Sequence, residues 1–180
     1  MADLIDSYTT TTSLFRSLSS IDYHGAGQSF TNLDYDYNIS SCKFYLKRGA
    51  LAITGNAYAK LYAHSGTYGT SSMPTGSPLA TSSAFDVSSL TTTAGWKEFI
   101  FSTTYKMLAG IYYEIVIEYT GGDANHYLMV NSDNTTKTHS GNACLENSSN
   151  VWNYYAFETP FYIYGYLAPA VFSPQLMMCS

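Results

Sequence analysis

Apolar and polar positions alternate along most of this chain in short runs separated by turn residues. The clearest early run covers residues 38–48, where Cys42, Phe44 and Leu46 fall on one face and Lys43, Tyr45 and Lys47 on the other. Residues 56–65 follow the same rule, with Ala57, Ala59, Leu61 and Ala63 opposing Tyr58, Lys60 and Tyr62. Alternation of this period marks a strand that buries one face. Two further runs, 96–101 and 111–119, are the richest in aromatic and β-branched residues and organise the reading of the rest. Phe99 and Phe101 share one face of the first; Trp96, Glu98 and Ile100 share the other. In the second, Ile111, Tyr113, Ile115, Ile117 and Tyr119 form a face that needs a core, while Tyr112, Glu114, Val116 and Glu118 point the opposite way and are expected to be outward.

Shorter strands are expected at 29–31, 79–85, 125–131, 142–146, 151–155 and 161–166, with an Asp-Val-Ser-Ser-Leu turn at 86–90. Gly, Pro and Ser crowd the stretch 65–78, which reads as a long surface loop of the functional or mobile kind, and 132–141 reads as a second polar loop. About ten strands with turns between them and no amphipathic helix define an all-β fold, an antiparallel β-sandwich of jelly-roll-like type. Residues 1–24 are expected to be a lead-in or an arm that adds to a sheet edge, 25–167 the sandwich domain, and 168–180 a C-terminal tail.

At 180 residues the chain suits one well-buried domain. With 12% charged and 46% hydrophobic residues, general disorder is excluded. The formal net charge of −5 and the dispersed basic residues argue against nucleic-acid binding. No apolar run approaches the roughly 20 residues that span a bilayer, so no membrane insertion is expected. Acidic residues stand near the N-terminus where a secretory signal would be basic, so the chain is expected to be not secreted by the general route, trimmed of its signal, or assembled inside a host cell. Of three cysteines, Cys42 reads as a core residue; a Cys42 to Cys144 disulfide stays open, and Cys179 lies in the tail.

No catalytic constellation emerges. His24, His64, His126 and His139 are scattered, and no nucleophile elbow or paired-histidine spacing occurs. Glu114 and Glu118 would stand roughly 13 Å apart on one strand, too far for a glycosidase pair, and read as charges on a solvated face. Asp123, Asn125 and Asp133 flank one hairpin-like segment with oxygen ligands of the type calcium takes, though turns favour the same residues. No other cofactor is expected. Tyr occurs 18 times, and Tyr58, Tyr62, Tyr112, Tyr127, Trp152 and Tyr154 fall on outward faces or loop edges, joined by Tyr162 and Tyr164. Aromatic surface with a polar handle suits sugar rings and protein partners alike.

The succession Gly-Gln-Ser-Phe at 27–30, Lys-Phe-Tyr-Leu-Lys-Arg-Gly at 43–49, Pro-Thr-Gly-Ser-Pro-Leu-Ala-Thr-Ser at 74–82, Asp-Val-Ser-Ser-Leu at 86–90 and Leu-Ala-Gly-Ile-Tyr-Tyr-Glu-Ile at 108–115 resembles a recurrent β-sandwich domain of bacterial surface, secreted and phage virion proteins. That domain is similar to jelly-roll carbohydrate-binding modules. The resemblance implies a non-catalytic module, located outside cells or on a virion surface, whose partner is a glycan. The alternative is a structural subunit, such as a phage tail, fibre or capsid component, whose partner is a further copy of itself in a homo-oligomer.

Overall fold

The computed structural model describes residues 1–32 and 34–169, Asn32 by its backbone alone. Residues 170–180, and Cys179 with them, lie outside the described residues.

The strands are β1 (Asp3–Tyr8), β2 (Phe15–Leu18), β3 (Tyr23–Asn32), β4 (Tyr37–Arg48), β5 (Asn56–Ser65), β6 (Met73–Thr81), β7 (Phe85–Asp86), β8 (Gly95–Ile100), β9 (Lys106–Met107), β10 (Ile111–Glu118), β11 (Leu128–Asn131), β12 (Ala143–Asn147), β13 (Trp152–Tyr155) and β14 (Phe161–Leu167). Among the described residues one 3-10 turn, Val87–Ser89, interrupts them; Asp86 caps it by accepting from the Ser88 amide, as the Asp-Val-Ser-Ser-Leu motif implies.

Two layers form. In the first, β12 lies between β13 and β3, and β3, β10, β5 and β6 continue in that order. In the second, β4 is the spine: β14 and β11 pair along one edge, β8 and β9 along the other, with β1 beyond β14 and β2 beyond β11. A one-residue parallel bridge from Leu18 to Tyr23 links the layers, and all other strand pairings are antiparallel. Between them sit Phe30, Leu61, Tyr113, Ile115 and Ile117 from the first layer and Ile39, Phe44, Leu46, Phe99 and Phe161 from the second. Phe30 and Phe161 meet across the interface at 6.2 Å between ring centroids. Each such side chain contributes about 1.5–3 kcal/mol by leaving water, so this antiparallel β-sandwich rests on the alternation of β4, β5, β8 and β10.

The runs 96–101 and 111–119 fall in different layers, because β8 pairs with β4 while β10 pairs with β3 and β5. Residues 3–8 do add to an edge, that of β14, and Tyr8 reaches the core. The loop expected at 65–78 is half strand, since β6 begins at Met73. Cys42 is buried in the core as expected, whereas Cys144 is buried on the opposite side of the first layer; both are free thiols.

The largest correction concerns β10. Its second face carries Glu114 and Val116, which are completely buried rather than wet. β10 is the middle of its sheet, and other parts of the chain cover that second face as well.

Candidate functional site

Strand register places most of the nominated aromatics on one surface, the outward face of the first layer. One row across the strands reads Tyr58, Glu118, Gly25, Glu146 and Trp152; the next reads Lys60, Val116, Gly27, Cys144 and Tyr154. A third holds Tyr62, Glu114 and Ser29, and Tyr112 follows Glu114 on the same face of β10. Because β3 offers only Gly25 and Gly27 here, the face has a trough along its middle. A Cβ on Gly25 would stand 2.8 Å from the outer ring of Trp152, so the indole lies across that glycine.

The rings behave differently from one another. Tyr62 is buried, which corrects its placement as an outward residue, and packs edge-on against Trp152 at 6.2 Å with Val116 and Cys144 alongside. Its hydroxyl donates to Glu118 at 2.8 Å, and Glu118 also holds the Lys60 ammonium. Burial and the Glu118 carboxylate together push the Tyr62 phenol far above its usual range. Burial also raises the Glu146 carboxyl, with the Glu118 charge adding to it. Trp152 is half-exposed, while Tyr58, at 36% exposure, and Tyr154, at 53%, are open to solvent. The surface therefore presents rings at its margins around a hydrogen-bonded Lys60, Glu118 and Tyr62 cluster. A shallow depression beside Trp152 is lined by Met73, Asn153, Tyr154 and Tyr155.

Tyr112 lies at the far end of the same face, stacked on Tyr68 at 4.2 Å with the rings 14° from parallel. Tyr127 is not part of this surface. It packs beside Gly49 of the loop after β4 and lines a separate depression with Ser17, Ser19, Ile21 and Asp123.

The oxygen ligands suggested for calcium are not brought together. Asp123 precedes β11 and Asp133 follows it. Asp123 is exposed and closes its own turn, accepting from the amides of Asn125 and His126 at 2.8 and 3.0 Å. Asp133 is buried and accepts from Tyr8 and from Thr135 and Thr136. Burial would raise its carboxyl, but those hydrogen bonds outweigh burial and hold it well below the usual range. Among the described residues, no three His, Cys, Asp or Glu side chains form a group able to hold a metal ion.

Two features escaped the sequence reading. The first is a second aromatic row on the outward face of the other layer: Tyr45 meets Trp96 at 5.3 Å, Trp96 meets Tyr162 at 4.6 Å, and Tyr164 stands parallel to Tyr162 at 6.0 Å. Alternation in β4 and β8 already pointed Tyr45 and Trp96 outward; what was lacking was the pairing that makes them adjacent. The second is a polar network between the layers. Gln28 donates to Glu158 and to Nδ1 of His139, and accepts from the Thr159 amide at 2.9 Å. Gly141 donates to the same Nδ1, which leaves Nε2 of His139 to donate to Asp6 at 3.2 Å. His139 and Asp6 form one wall of a depression of about 440 Å³ shared with Thr31 and Tyr37. The network's members come from four distant stretches, and no sequence spacing signals such a set.

Set against family models, curated proteins and solved structures, the chain matches none. The class that fold and surface define is thus the coarse one, an all-β sandwich with an aromatic outer face.

Proposed function

We propose that this chain is a non-catalytic binding module that recognises glycans through the outward face of the first layer. The observation that carries the reading is the placement of Tyr58, Trp152 and Tyr154, partly or fully exposed, around the polar cluster of Lys60, Glu118 and Tyr62. A sugar ring has an apolar C–H face that stacks on aromatic rings and hydroxyls that need donors and acceptors at the rim. Two further facts support a non-catalytic role: Glu114 is sealed from solvent, and Glu118 is engaged by Lys60 and Tyr62. The jelly-roll relationship and a place outside the cell or on a virion surface belong to this same proposal.

A structural subunit is the second reading, and one observation favours it. Beside the Tyr45, Trp96, Tyr162 and Tyr164 row, Leu4, Ile100 and Tyr166 are all more than half exposed, at 52%, 61% and 53%. Apolar surface of this kind is what a contact between copies covers.

A glycan array combined with sedimentation velocity separates the two. A monomer with glycan hits is expected, with affinity falling by about tenfold or more when Tyr154 is replaced by alanine, a ring whose loss should leave the core intact. Trp152→Ala should weaken binding at least as much, with its fold checked by circular dichroism because Trp152 also packs on Tyr62. An obligate oligomer without hits would favour the second reading, and hydrolysis of any arrayed glycan would overturn the non-catalytic one.

A further inference from the structure

Glu114 is 0% exposed on a face that the strand pattern points outward. One carboxyl oxygen, Oε2, accepts only from the Cys144 thiol at 3.7 Å; the other, Oε1, has no hydrogen-bond partner. Burying a carboxylate in this way is costly, because neither charge nor lone pairs are compensated.

The connection between β5 and β6 lies on the same side of the sheet. Residues 66–72 fold back over the sheet instead of extending beyond it. Near the start of this strap Tyr68 stacks on Tyr112, and His64 Nε2 meets the Ser72 hydroxyl at 3.0 Å. At its end the Ser72 amide donates to Asn142 Oδ1 at 3.0 Å, and Asn142 Nδ2 returns a bond to the Ser72 carbonyl at 3.2 Å. The Asn142 amide is in turn held by the Ser29 hydroxyl at 2.8 Å, and Ser29 is the register partner of Glu114. The strap therefore reaches from β5 to the Asn142 and Ser29 pair beside Glu114, and its Tyr68 is close enough to feel the Glu114 charge. Its two reversals use glycine in the left-handed region, Gly66 at φ +81° and Gly69 at φ +73°. The attachments are a few side-chain hydrogen bonds and one ring stack, which is the low-stability end of a structure.

We propose that the strap is a lid whose closure depends on Glu114 keeping its proton, so that rising pH releases residues 66–72, uncovers Glu114 and Ser29 and frees the face of Tyr112 that Tyr68 covers. In the neutral acid the carboxyl tolerates the enclosure. Once ionised it must find water, and on this face that requires the strap to lift. Burial holds the Glu114 carboxyl well above the ordinary carboxylate range, only partly offset by the Cys144 thiol. The open state, where the group is hydrated, ionises in the ordinary range, so closure is strongest at low pH and weakens as pH rises through the raised value.

The groups facing Glu114 from each element are Tyr112 on β10, Tyr62 and His64 on β5, Cys144 with Glu146 beyond it on β12, and Tyr68 on the strap; Asp6 and His139 lie past Tyr68 and Ser140, and Glu118 with Lys60 lies farther along the face. No cation among them reaches the carboxyl to hold its charge in place. Burial raises Tyr62, Tyr68 and Cys144 and lowers His64. Protonation of His64 would loosen the strap on acidification, the opposite sign.

The inference stands on this geometry and needs no ligand. Amide hydrogen exchange, expressed as protection factors between pH 5 and pH 9, tests it on the unliganded protein. Protection at Ser71 and Ser72 is expected to fall at least about tenfold with rising pH, one pKa unit being worth that factor, while Ile115 and Ile117 keep theirs. Glu114→Gln should abolish the dependence. Constant protection in the wild type, loss on acidification, or the same loss in the variant would each overturn the proposal. If the variant does not fold, the wild-type contrast between strap and β10 decides alone.

Discussion

Replacing Gly27 by alanine is expected to lower the melting temperature by roughly 10 °C. Gly27 sits in the middle of β3, and its backbone needs no left-handed conformation. The requirement is closeness. A Cβ there would stand 2.4 Å from Cγ1 of Val116 and 2.5 Å from the carbonyl oxygen of Ile115. The second of those is backbone, so relief requires β3 and β10 to move apart. That pairing runs from Ile111 opposite Asn32 to Glu118 opposite Gly25 and carries the centre of the sheet. Overpacking that moves backbone costs about 3 kcal/mol or more, which sets the size of the shift. Gly25→Ala provides the comparison, since the atoms it would meet first belong to the side chains of Trp152 and Glu118, at 2.8 and 3.2 Å. A smaller loss of stability with a change in tryptophan fluorescence is expected there. Gly95→Ala, with nothing within 4 Å, should be close to neutral. Equal melting temperatures for the Gly27 and Gly95 variants would refute the close approach of the strands.

The same glycines show where sequence patterning stops being informative. Alternation places the inner face of β4, β5 and β10 correctly, because each of those strands buries its own apolar residues and needs no knowledge of a partner. Gly25 and Gly27, which precede the short strand expected at 29–31, lie inside a strand of ten residues. The missing side chain at Gly25 makes room for Trp152, and the one at Gly27 lets β10 approach, both set by residues far away in the chain. Glu114 fails for the same reason. A carboxylate among tyrosines reads as wet, and only a strap anchored at Asn142 encloses it. For residues 3–18 an edge-adding arm was legible, but not its partners, because β1 and β2 are short and their pairing is supplied by β14 and β11 rather than by any amphipathic run of their own. Of the aromatic site, the outward direction of Tyr58, Tyr112, Trp152 and Tyr154 was legible. Which rings would stack, stand free or, like Tyr62, be covered depends on cross-strand neighbours.

Gln28→Leu is expected to cost about 3 kcal/mol at neutral pH, with a loss that grows as pH rises from 5 to 8. Gln28 is fully buried between the layers and satisfies Glu158, the Thr159 amide and Nδ1 of His139. Leucine fills similar volume but leaves a buried N–H and a buried carboxyl without their partner, the case in which desolvation is uncompensated. The pH term has a definite sign. Burial pushes the Glu158 carboxyl up to about 7, and the nearby Asp133 charge adds to this, while His139 and the Gln28 hydrogen bond pull it down. The unfolded chain ionises Glu158 near its ordinary value of 4.5, so it binds fewer protons than the native state across that window. Native stability from this group is therefore complete at low pH and declines as pH climbs toward 7. Asp133, held low, acts in the opposite sense and withdraws its contribution only under strong acid. Without the Gln28 amide the Glu158 value moves further up, and the decline extends to higher pH. Urea unfolding of the wild type, Gln28→Leu and Glu158→Gln between pH 4.5 and 8 measures this directly. Glu158→Gln should flatten the wild-type decline, leaving any slope contributed by Glu114. A Gln28→Leu protein as stable as wild type, or one whose deficit does not change with pH, would mean that the network does not hold the two layers together at this end of the sandwich.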